Sequence, residues 1–385
     1  MSPVPLPLCG TLLYEAATPL ATPHGRFDAH AFRDLAARQP LLVIARGDCR
    51  GAAPLLARVH SSCMTGESCG GADCDCAQQL DAALARIAAA GRGALFYLLQ
   101  EGRGAGFIAK ARDRMLVQAS RERVTTFDAY ARLGLDGDCR RYEAVAFACA
   151  ALDITAPLHL LSNNPVKVAA LRAAGVLIAD AAPTAHAPLA HAPSPFNIRY
   201  LTAKSRSGHV FAAAAPPAAA AEPPEAVQIV PPTALADAPH LLHVASYLLP
   251  VRALAPAEGA HWFRLHAWVD RHSGAERLVL TLARDGAATP LIHVHAETLL
   301  GRFPREDRRD PWREALTQLA ARGAGAALFL VHNDPTLDDP ALQPGGAAAD
   351  VVAGNPDLIR LLAHHLPRRG ELLTPHPRLA AALGA

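Results

Sequence analysis

Hydrophobic and polar residues alternate along the first sixty residues, and this pattern predicts a series of β-strands. The strand segments are LLYEAATPLAT, GRFDAHAFRD, PLLVIARGD and PLLARVH, separated by turn signals such as PHG and RGD. Further along, AQQLDAALARIAAAG has apolar residues at helical spacing and ends at Gly91. Short apolar strands, GALFYLLQ and PLHLLS, then alternate with the helical segments KARDRMLVQAS, RYEAVAFACAALDI and NNPVKVAALRAAGV. We therefore predict an α/β fold with a mixed, α+β-like sheet rather than strict βαβ alternation.

The pattern of the chain's beginning returns in its second half. HWFRLHAWVDRHSG echoes HGRFDAHAFRDLAA, PLIHVHAETLLG echoes PLLARVHSSCMTG, and LLTPHPRLAAAL echoes LLSNNPVKVAAL. An Ala/Pro-rich stretch with almost no periodicity lies between the two parts and is typical of a semi-rigid linker. Because the echoes follow the same order, we predict a tandem duplication of two related domains. The predicted boundaries are residues 1–211, a linker at 212–239, and residues 240–385.

Composition and charge exclude several classes of protein. The 385 residues are 51% hydrophobic, which is enough for two folded domains with real cores. A net charge of +2 without a clustered basic face argues against a nucleic-acid-binding protein. No apolar run reaches membrane-spanning length, and the prolines of MSPVPLPLCG are unlike a secretory signal. We expect a cytoplasmic protein, whose eight cysteines serve as ligands or core residues rather than as disulfides.

Three of the cysteines stand in a C-x10-C-x-C pattern within a polar loop, at Cys63, Cys74 and Cys76. Thiolates are soft ligands that favour zinc, and three protein ligands leave a fourth position for water, as in catalytic zinc sites. Cys69 interrupts the pattern, and nothing in its surroundings marks it as a ligand. A purely structural zinc site would need a fourth ligand, for which His60 is the nearest candidate.

Other polar residues stand where the chain enters turns or helices. EGRGAG follows an apolar strand, so Glu101 and Arg103 are candidates to bind a base edge and a phosphate, although Gly-rich turns are common. Asp138 and Arg140 in DCR, taken alone, are typical of a surface turn. SNNPVK predicts either a simple helix cap or, through Lys167, a phosphate site at a helix start.

The second copy lacks the residues that carry this chemistry. Aligning His295 with His60 without gaps leaves no thiolate at the cysteine positions, which hold Thr298, Arg309 and Pro311. The EGR turn becomes HND at residues 332–334. We therefore expect the C-terminal domain to bind no zinc and to pack against the first domain as a second subunit would.

Taken together, RVHSSCMTG, CDCAQQLDAAL, LLQEGRGAG, LGLDGDCRRY and LLSNNPVKVAALRAAGV resemble the GTP cyclohydrolase II family over about residues 12–200. The resemblance implies that family's fold and zinc-dependent hydrolytic opening of the imidazole ring of GTP at C8. Release of formate and pyrophosphate would follow, as in the first step of riboflavin synthesis. It implies one Zn²⁺ per chain at the three cysteines and Mg²⁺ with the triphosphate. Asp138 falls on the family's general base and Arg140 on its arginine at the α-phosphate, where clamping the phosphate is the chemically conservative role.

The same resemblance implies a set of positions that contact GTP, namely Arg58, Val59, His60, Ser61, Ser62, Gln79, Glu101, Gly102, Arg103, Thr126, Ser162 and Lys167. One departure concerns the catalytic tyrosine that the family carries in the helix after EGRGAG. KARDRMLVQ has none, and counting from its two ends places Arg114 or Met115 there. Neither residue can act as a phenol donor. Two smaller departures from the family pattern are Ser62, where the family usually has Glu, and Ser162, where it usually has Thr.

These departures leave several interpretations open. We expect ring opening to be retained, while the product is the formamido-pyrimidine nucleotide or the substrate is another purine nucleotide. A non-catalytic nucleotide-binding or regulatory protein is the alternative from another class. Since the family is dimeric, the second copy predicts a pseudo-dimer within one chain, with a homo-oligomer as the alternative.

Overall fold

The structure is a computed structural model, and it describes residues 7–162, 164–179, 193–210, 219–254, 259–283, 289–307, 310–330, 347–366, 370–373 and 376–383. Two seven-stranded mixed sheets carry the helices, so the fold is mixed α/β as predicted. Arg309 and the HND turn at 332–334 lie outside the described residues. None of the helices described here combines the length and the apolar character that a membrane crossing requires.

The first sheet contains every strand that the alternating pattern predicts. Its strands are β1 (Leu8–Cys9), β2 (Leu12–Thr22), β3 (Gly25–Asp34), β4 (Gln39–Arg46), β5 (Leu55–Ser61), β6 (Gly93–Leu98) and β7 (Leu158–Leu160). The helices of this half are α1 (Met64–Glu67), α2 (Cys76–Ala90), α3 (Phe107–Ala119), α4 (Thr126–Arg132), α5 (Glu143–Ala151), α6 (Pro165–Ala173) and α7 (Ile198–Arg206). Sequence analysis predicted neither α4 nor α7, although both contribute to the site described below.

The second sheet follows the Ala/Pro-rich stretch. Its strands are β8 (Thr233–Leu235), β9 (Ala238–Arg252), β10 (Ala260–Asp270), β11 (Glu276–Ala283), β12 (Leu291–Ala296), β13 (Ala324–Leu330) and β14 (Glu371–Leu372). The helices of this half are α8 (Pro311–Arg322), α9 (Ala347–Ala353), α10 (Pro356–His365) and α11 (Pro377–Leu383). Strand β8 begins inside the stretch predicted as a linker, because Thr233 and Ala234 pair with β9.

The two sheets have the same strand order. In space the first runs β1-β2-β3-β4-β6-β5-β7, and the second runs β8-β9-β10-β11-β13-β12-β14. Each sheet also has a β-bulge at the matching place, after Tyr14 in β2 and after His243 in β9. Bulges re-aim a strand and are positioned features rather than random defects. The register agrees as well, since His60 pairs with Tyr97 in one sheet and His295 with Phe329 in the other.

Helix α3 connects the two halves by packing on β9. The Gln118 side chain takes the place of a neighbouring strand: its Nε2 donates to the Leu248 carbonyl at 2.7 Å, and its Oε1 accepts from the Leu248 N–H at 2.8 Å. Met115 is fully buried in one apolar core with Tyr247 and Leu249. Burial of this apolar surface and of paired backbone groups makes the halves parts of one packed unit.

Candidate active site

Three thiols converge between the end of β5 and the start of α2. Cys63 follows β5, while Cys76 is the first residue of α2 and Cys74 lies two positions before it. Their sulfur atoms all lie within 4.8 Å of one another, and the sulfurs of Cys63 and Cys74 are 3.6 Å apart. Gly66 makes room for them, because a Cβ there would stand 2.5 Å from the Cys74 sulfur.

This cluster has the dimensions of a zinc site. Zinc–thiolate bonds of about 2.3 Å in a tetrahedron place sulfurs roughly 3.8 Å apart. His60 is not a fourth ligand, because its Nε2 bonds to Glu67 at 2.7 Å and its ring stacks on Tyr97. Within the described part of the chain, only the three cysteines form this group. Cys69 lies in the core, where burial raises the pKa of its thiol far above the usual value. The residues fit a zinc ion with one coordination position left for water.

A lysine that sequence analysis missed stands against the cluster. The Lys110 ammonium lies 3.1 Å from the Cys63 sulfur and 2.8 Å from Glu101 Oε1. The other Glu101 oxygen accepts from the Met64 N–H at 2.5 Å. Burial of Glu101 raises the pKa of its carboxyl, against the opposing effect of Lys110. Glu101 therefore ties the EGRGAG turn to the cysteine loop. Nothing in KARDRMLVQ distinguishes Lys110 from an ordinary surface lysine of a helix.

A cavity of about 270 Å³ opens in front of the sulfurs. Nearly every predicted site residue lines it, namely Arg58, His60, Ser61, Ser62, Cys63, Cys74, Cys76, Gln79, Glu101, Gly102, Arg103, Thr126, Asp138, Arg140, Ser162 and Lys167. Val59 is the exception: its side chain is buried in the core of the first sheet. Only its carbonyl, which accepts from Lys167 Nζ at 3.0 Å, faces the site's residues. As a strand residue, Val59 points away from the face that its neighbours present.

One wall of the cavity concentrates positive charge. Arg58, Arg140 and Lys167 all line it, and Lys167 is only 8% exposed. Burial, together with repulsion from Arg140 and Arg58, lowers the pKa of Lys167 well below its usual value. Arg58 donates to the Leu161 carbonyl at 2.7 Å and to Gln79, so neutral acceptors rather than a carboxylate hold it. Such a wall binds an anion favourably, because an anion would relieve the repulsion between these groups.

Asp138 and Arg140 form a bidentate pair at the cavity edge. Arg140 Nε donates to Asp138 Oδ1 at 2.8 Å, and Nη2 donates to Oδ2. Burial opposes ionisation of Asp138, but the hydrogen bonds and charge of Arg140 outweigh it and lower the pKa of the carboxyl. Asp138 is thus an ionised proton acceptor at neutral pH, and Arg140 stays protonated.

The helix that lacks the family tyrosine presents Arg114 to the cavity. The Arg114 guanidinium lines the cavity, and its Nε lies 3.2 Å from Asp73 Oδ2. Met115 faces the opposite way and is fully buried between the two halves. Of the two positions that sequence counting left open, Arg114 is therefore the one that faces the site.

Two phenols reach the cavity from the helices that sequence analysis missed. Tyr130 on α4 donates its hydroxyl to the Gly102 carbonyl at 2.8 Å. Tyr200 on α7 lines the cavity, and the Lys204 ammonium stands 4.5 Å from the centre of its ring. The capping box at Thr125 and Asp128 is a sequence signal that marks the start of α4. No comparable signal marks α7.

The family model described as GTP cyclohydrolase II matches residues 14–183. The chain is 40% identical to the GTP cyclohydrolase-2 of Azotobacter vinelandii over 202 residues, which span 52% of this chain and 93% of that protein. It is 38% identical to the GTP cyclohydrolase-2 of Saccharophagus degradans, covering 96% of that protein, and 37% identical to the one of Pseudomonas aeruginosa, covering 94%. The chain therefore belongs to the GTP cyclohydrolase II family of hydrolases.

Proposed function

We propose that the first half opens the imidazole ring of GTP by hydrolysis at C8, with one Zn²⁺ held by Cys63, Cys74 and Cys76. The observation that carries this proposal is the three-sulfur cluster at the base of a cavity with a cationic wall. When bound, zinc would lower the pKa of a coordinated water and polarise the reacting group. The relatives named GTP cyclohydrolase-2, which match about half of the chain, support GTP as the substrate.

The chain's own residues would bind the nucleotide and move the proton. Arg58, Arg140 and Lys167 would receive the triphosphate, accompanied by Mg²⁺, because their side chains converge on one wall and Arg140 and Arg58 repel Lys167. Arg140 is held protonated by Asp138, so we assign it to clamping the α-phosphate rather than to attacking it. Asp138, ionised and at the cavity edge, would accept the proton that the attacking water loses.

A second candidate concerns the endpoint of the reaction. Arg114 and Asp73 form an ion pair where the family carries a catalytic tyrosine. A guanidinium in such a pair keeps its proton and cannot act as a phenol does. On this observation, we propose that the ring opens but the formyl group is retained, so that a formamido-pyrimidine nucleotide accumulates.

Product identification from GTP tests both proposals. The zinc-loaded protein is incubated with GTP, the product is identified by mass spectrometry, and formate and pyrophosphate are assayed separately. We expect a product with the formyl group retained, and formate release in Arg114→Tyr but not in the charge-conserving control Arg114→Lys. Stoichiometric formate from the unaltered protein would contradict the second candidate and indicate complete hydrolysis, as in the first step of riboflavin synthesis. Zinc bound at the three cysteines without turnover of any purine nucleotide would contradict ring opening and favour a nucleotide-binding protein.

We also propose that the two halves arose by tandem duplication and that the second half takes the place of a partner subunit. The shared strand order, the matching bulges and the packing of α3 on β9 support this. A pseudo-dimer has already covered the surface through which a dimer would form. Light scattering should therefore find a monomer at micromolar concentration, and a stable dimer of full-length chains would contradict the proposal.

A further inference from the structure

The loop that carries the cysteines is bound along its length by the end of β9, in the second half of the chain. The Ala72 N–H donates to the Pro250 carbonyl at 2.6 Å, and the Arg252 N–H donates to the Gly70 carbonyl at 2.9 Å. Between these bonds, Gly71 and Val251 form an antiparallel bridge. The second half thus adds a short strand pairing to a loop that would otherwise have unpaired backbone groups.

The close approach of the cysteine loop to β9 requires a glycine at position 71. A Cβ at this position would stand 2.7 Å from the Thr65 carbonyl and 3.0 Å from the Leu249 side chain. The loop is therefore held between its own first turn and β9, with no space for a side chain. A larger residue at 71 would push the loop away from the second half.

The Arg252 side chain continues the contact towards the sulfurs. Its Nη2 donates to the Cys74 carbonyl at 2.9 Å and to Gln78 Oε1 at 3.0 Å, and its Nη1 donates to the Gly66 carbonyl at 3.4 Å. All three acceptors are neutral oxygens that flank the cysteine cluster on both sides. One rigid, planar guanidinium can join them, whereas a lysine ammonium cannot match this fork.

We infer that Arg252 is a positioning residue for the three cysteines, and that the second half serves the site by holding the cysteine loop through this side chain. The inference rests on the proposed zinc site but not on the identity of the substrate. Partners outside the ligand set that orient metal ligands typically affect metal affinity by about 10- to 100-fold when removed. Arg252 would act through the Cys74 and Gly66 backbone in this way.

The test measures zinc affinity and loop protection rather than turnover. In full-length protein, Arg252→Ala should weaken zinc binding about 10- to 100-fold in chelator competition and speed amide exchange in residues 65–74. Arg252→Lys should give values between those of the unaltered protein and Arg252→Ala. The matched control Arg322→Ala, at the half-exposed last residue of α8, should change neither zinc affinity nor amide exchange. Unaltered zinc affinity and exchange in Arg252→Ala would overturn the inference. If the protein binds zinc but never turns over GTP, the proposed function fails while this inference stands.

A second, independent cluster lies at the far end of the second sheet. His240 at the start of β9, Asp270 at the end of β10 and His272 in the following turn place one ligand atom each within 4.8 Å of one another. The two imidazole rings are stacked with centroids 4.8 Å apart. Because nitrogen lone pairs lie in the ring plane, binding one ion requires the exposed His272 ring to rotate and turn a nitrogen towards His240 and Asp270. Asp357, in the first turn of α10, bonds to His240 Nε2 at 2.9 Å. A carboxylate behind a histidine is the usual outer partner that orients an imidazole ligand.

We propose that this cluster binds a divalent first-row metal ion such as Zn²⁺ or Co²⁺. Two imidazole nitrogens and a carboxylate oxygen suit these ions, in contrast to the all-sulfur set of the first half. A bound ion would join the start of β9, the β10–β11 turn and, through Asp357, the start of α10. Its role would be to fix the second half rather than to act on GTP.

Metal counting separates this site from the cysteines. Metal-stripped full-length protein should take up two Zn²⁺ per chain, and His272→Ala and Cys74→Ala should each take up one. With Co²⁺, the thiolate charge-transfer absorption should survive in His272→Ala and disappear in Cys74→Ala. The control His159→Ala, on β7 of the other sheet, should still bind two. If the unaltered protein binds only the ion lost in Cys74→Ala, the second site does not exist.

Discussion

The helix that follows the cysteine loop in the first half, α2, and its counterpart α8 in the second half begin in different ways. Both are preceded by an aspartate, Asp75 before α2 and Asp310 before α8. Asp310 caps its helix by accepting from the Arg313 N–H, as an N-cap residue should. Asp75 makes no capping bond and instead binds Gln79 and Lys204. The first half gives up a favourable cap at the place where Cys76 enters the sulfur cluster.

The histidines at matching positions show the same division. His60 and His295 each stack on the aromatic residue of the neighbouring strand, Tyr97 or Phe329. His60 additionally bonds to Glu67 beside the cavity, whereas His295 packs on Trp312 in an apolar core. At these matched positions, the second half caps its helix and packs its histidine on aromatic rings, whereas the first half uses the aspartate and the histidine in polar contacts beside the cavity. Departures from the usual helix cap are expected where a site requires them.

The largest difference between the two halves should appear when a thiolate is removed from the first half. Cys74→Ala leaves two sulfurs for zinc, so we expect loss of the zinc ion bound at the cysteines and a fall in GTP turnover of at least about 10⁴-fold. Metal analysis and a turnover assay on the same sample check this. Thr298→Ala removes the residue that aligns with Cys63 in the second half and should leave both values unchanged. Full turnover in Cys74→Ala would mean that the cluster is not the reaction centre.

The next largest effect should come from separating the halves. Gln118→Ala leaves the buried N–H and carbonyl of Leu248 without partners, at a cost of about 4 kcal/mol in unfolding free energy. Urea unfolding followed by two probes should show a lower midpoint for both halves together, because α3 packs in their common core. Gln39→Ala, at an exposed strand end, is the control. Two separate transitions in the unaltered protein would contradict a single cooperative unit.

Sequence analysis predicts the part of the site that is local in the chain. The cysteine spacing is readable because all three ligands lie within one loop, and the strands before it alternate cleanly. Glu101, Asp138 and Lys167 also stand beside recognisable turns or helix starts. At the position of the family tyrosine, the sequence leaves a choice between Arg114 and Met115, since counting along a helix does not show which of the two faces the site.

The missed residues reach the site through tertiary packing. Lys110 looks like any lysine of a solvent-exposed helix until α3 is placed between the cysteine loop and β9. Tyr200 and Lys204 come from a helix about a hundred residues further along, with no motif to link it to the cavity. Arg252 belongs to a part of the chain outside the match to the family model, so neither spacing nor resemblance points to it.

The smallest predicted effect concerns the stability cost of a buried carboxyl on α3. Asp113 accepts one hydrogen bond, from the Thr126 hydroxyl at 2.8 Å, and its other oxygen has no hydrogen-bond partner among the described residues. Burial raises the pKa of Asp113 from 3.8 to about 6. A raised carboxyl pKa favours folding at low pH, and this contribution is lost as pH rises from about 4 through 6. Asp113→Asn should therefore stabilise the protein by about 2 to 3 kcal/mol at pH 8.

The pH dependence distinguishes this cause from a change in packing. The advantage of Asp113→Asn should shrink towards pH 5, where the native carboxyl is mostly protonated in the folded protein. Urea unfolding at both pH values measures it, and the exposed control Asp136→Asn should shift unfolding by less than about 0.5 kcal/mol. An advantage of equal size at both pH values would show that shape or hydrogen bonding, not ionisation, sets the cost. The ionised Asp113 carboxylate would then carry no free-energy cost of its own in the folded protein.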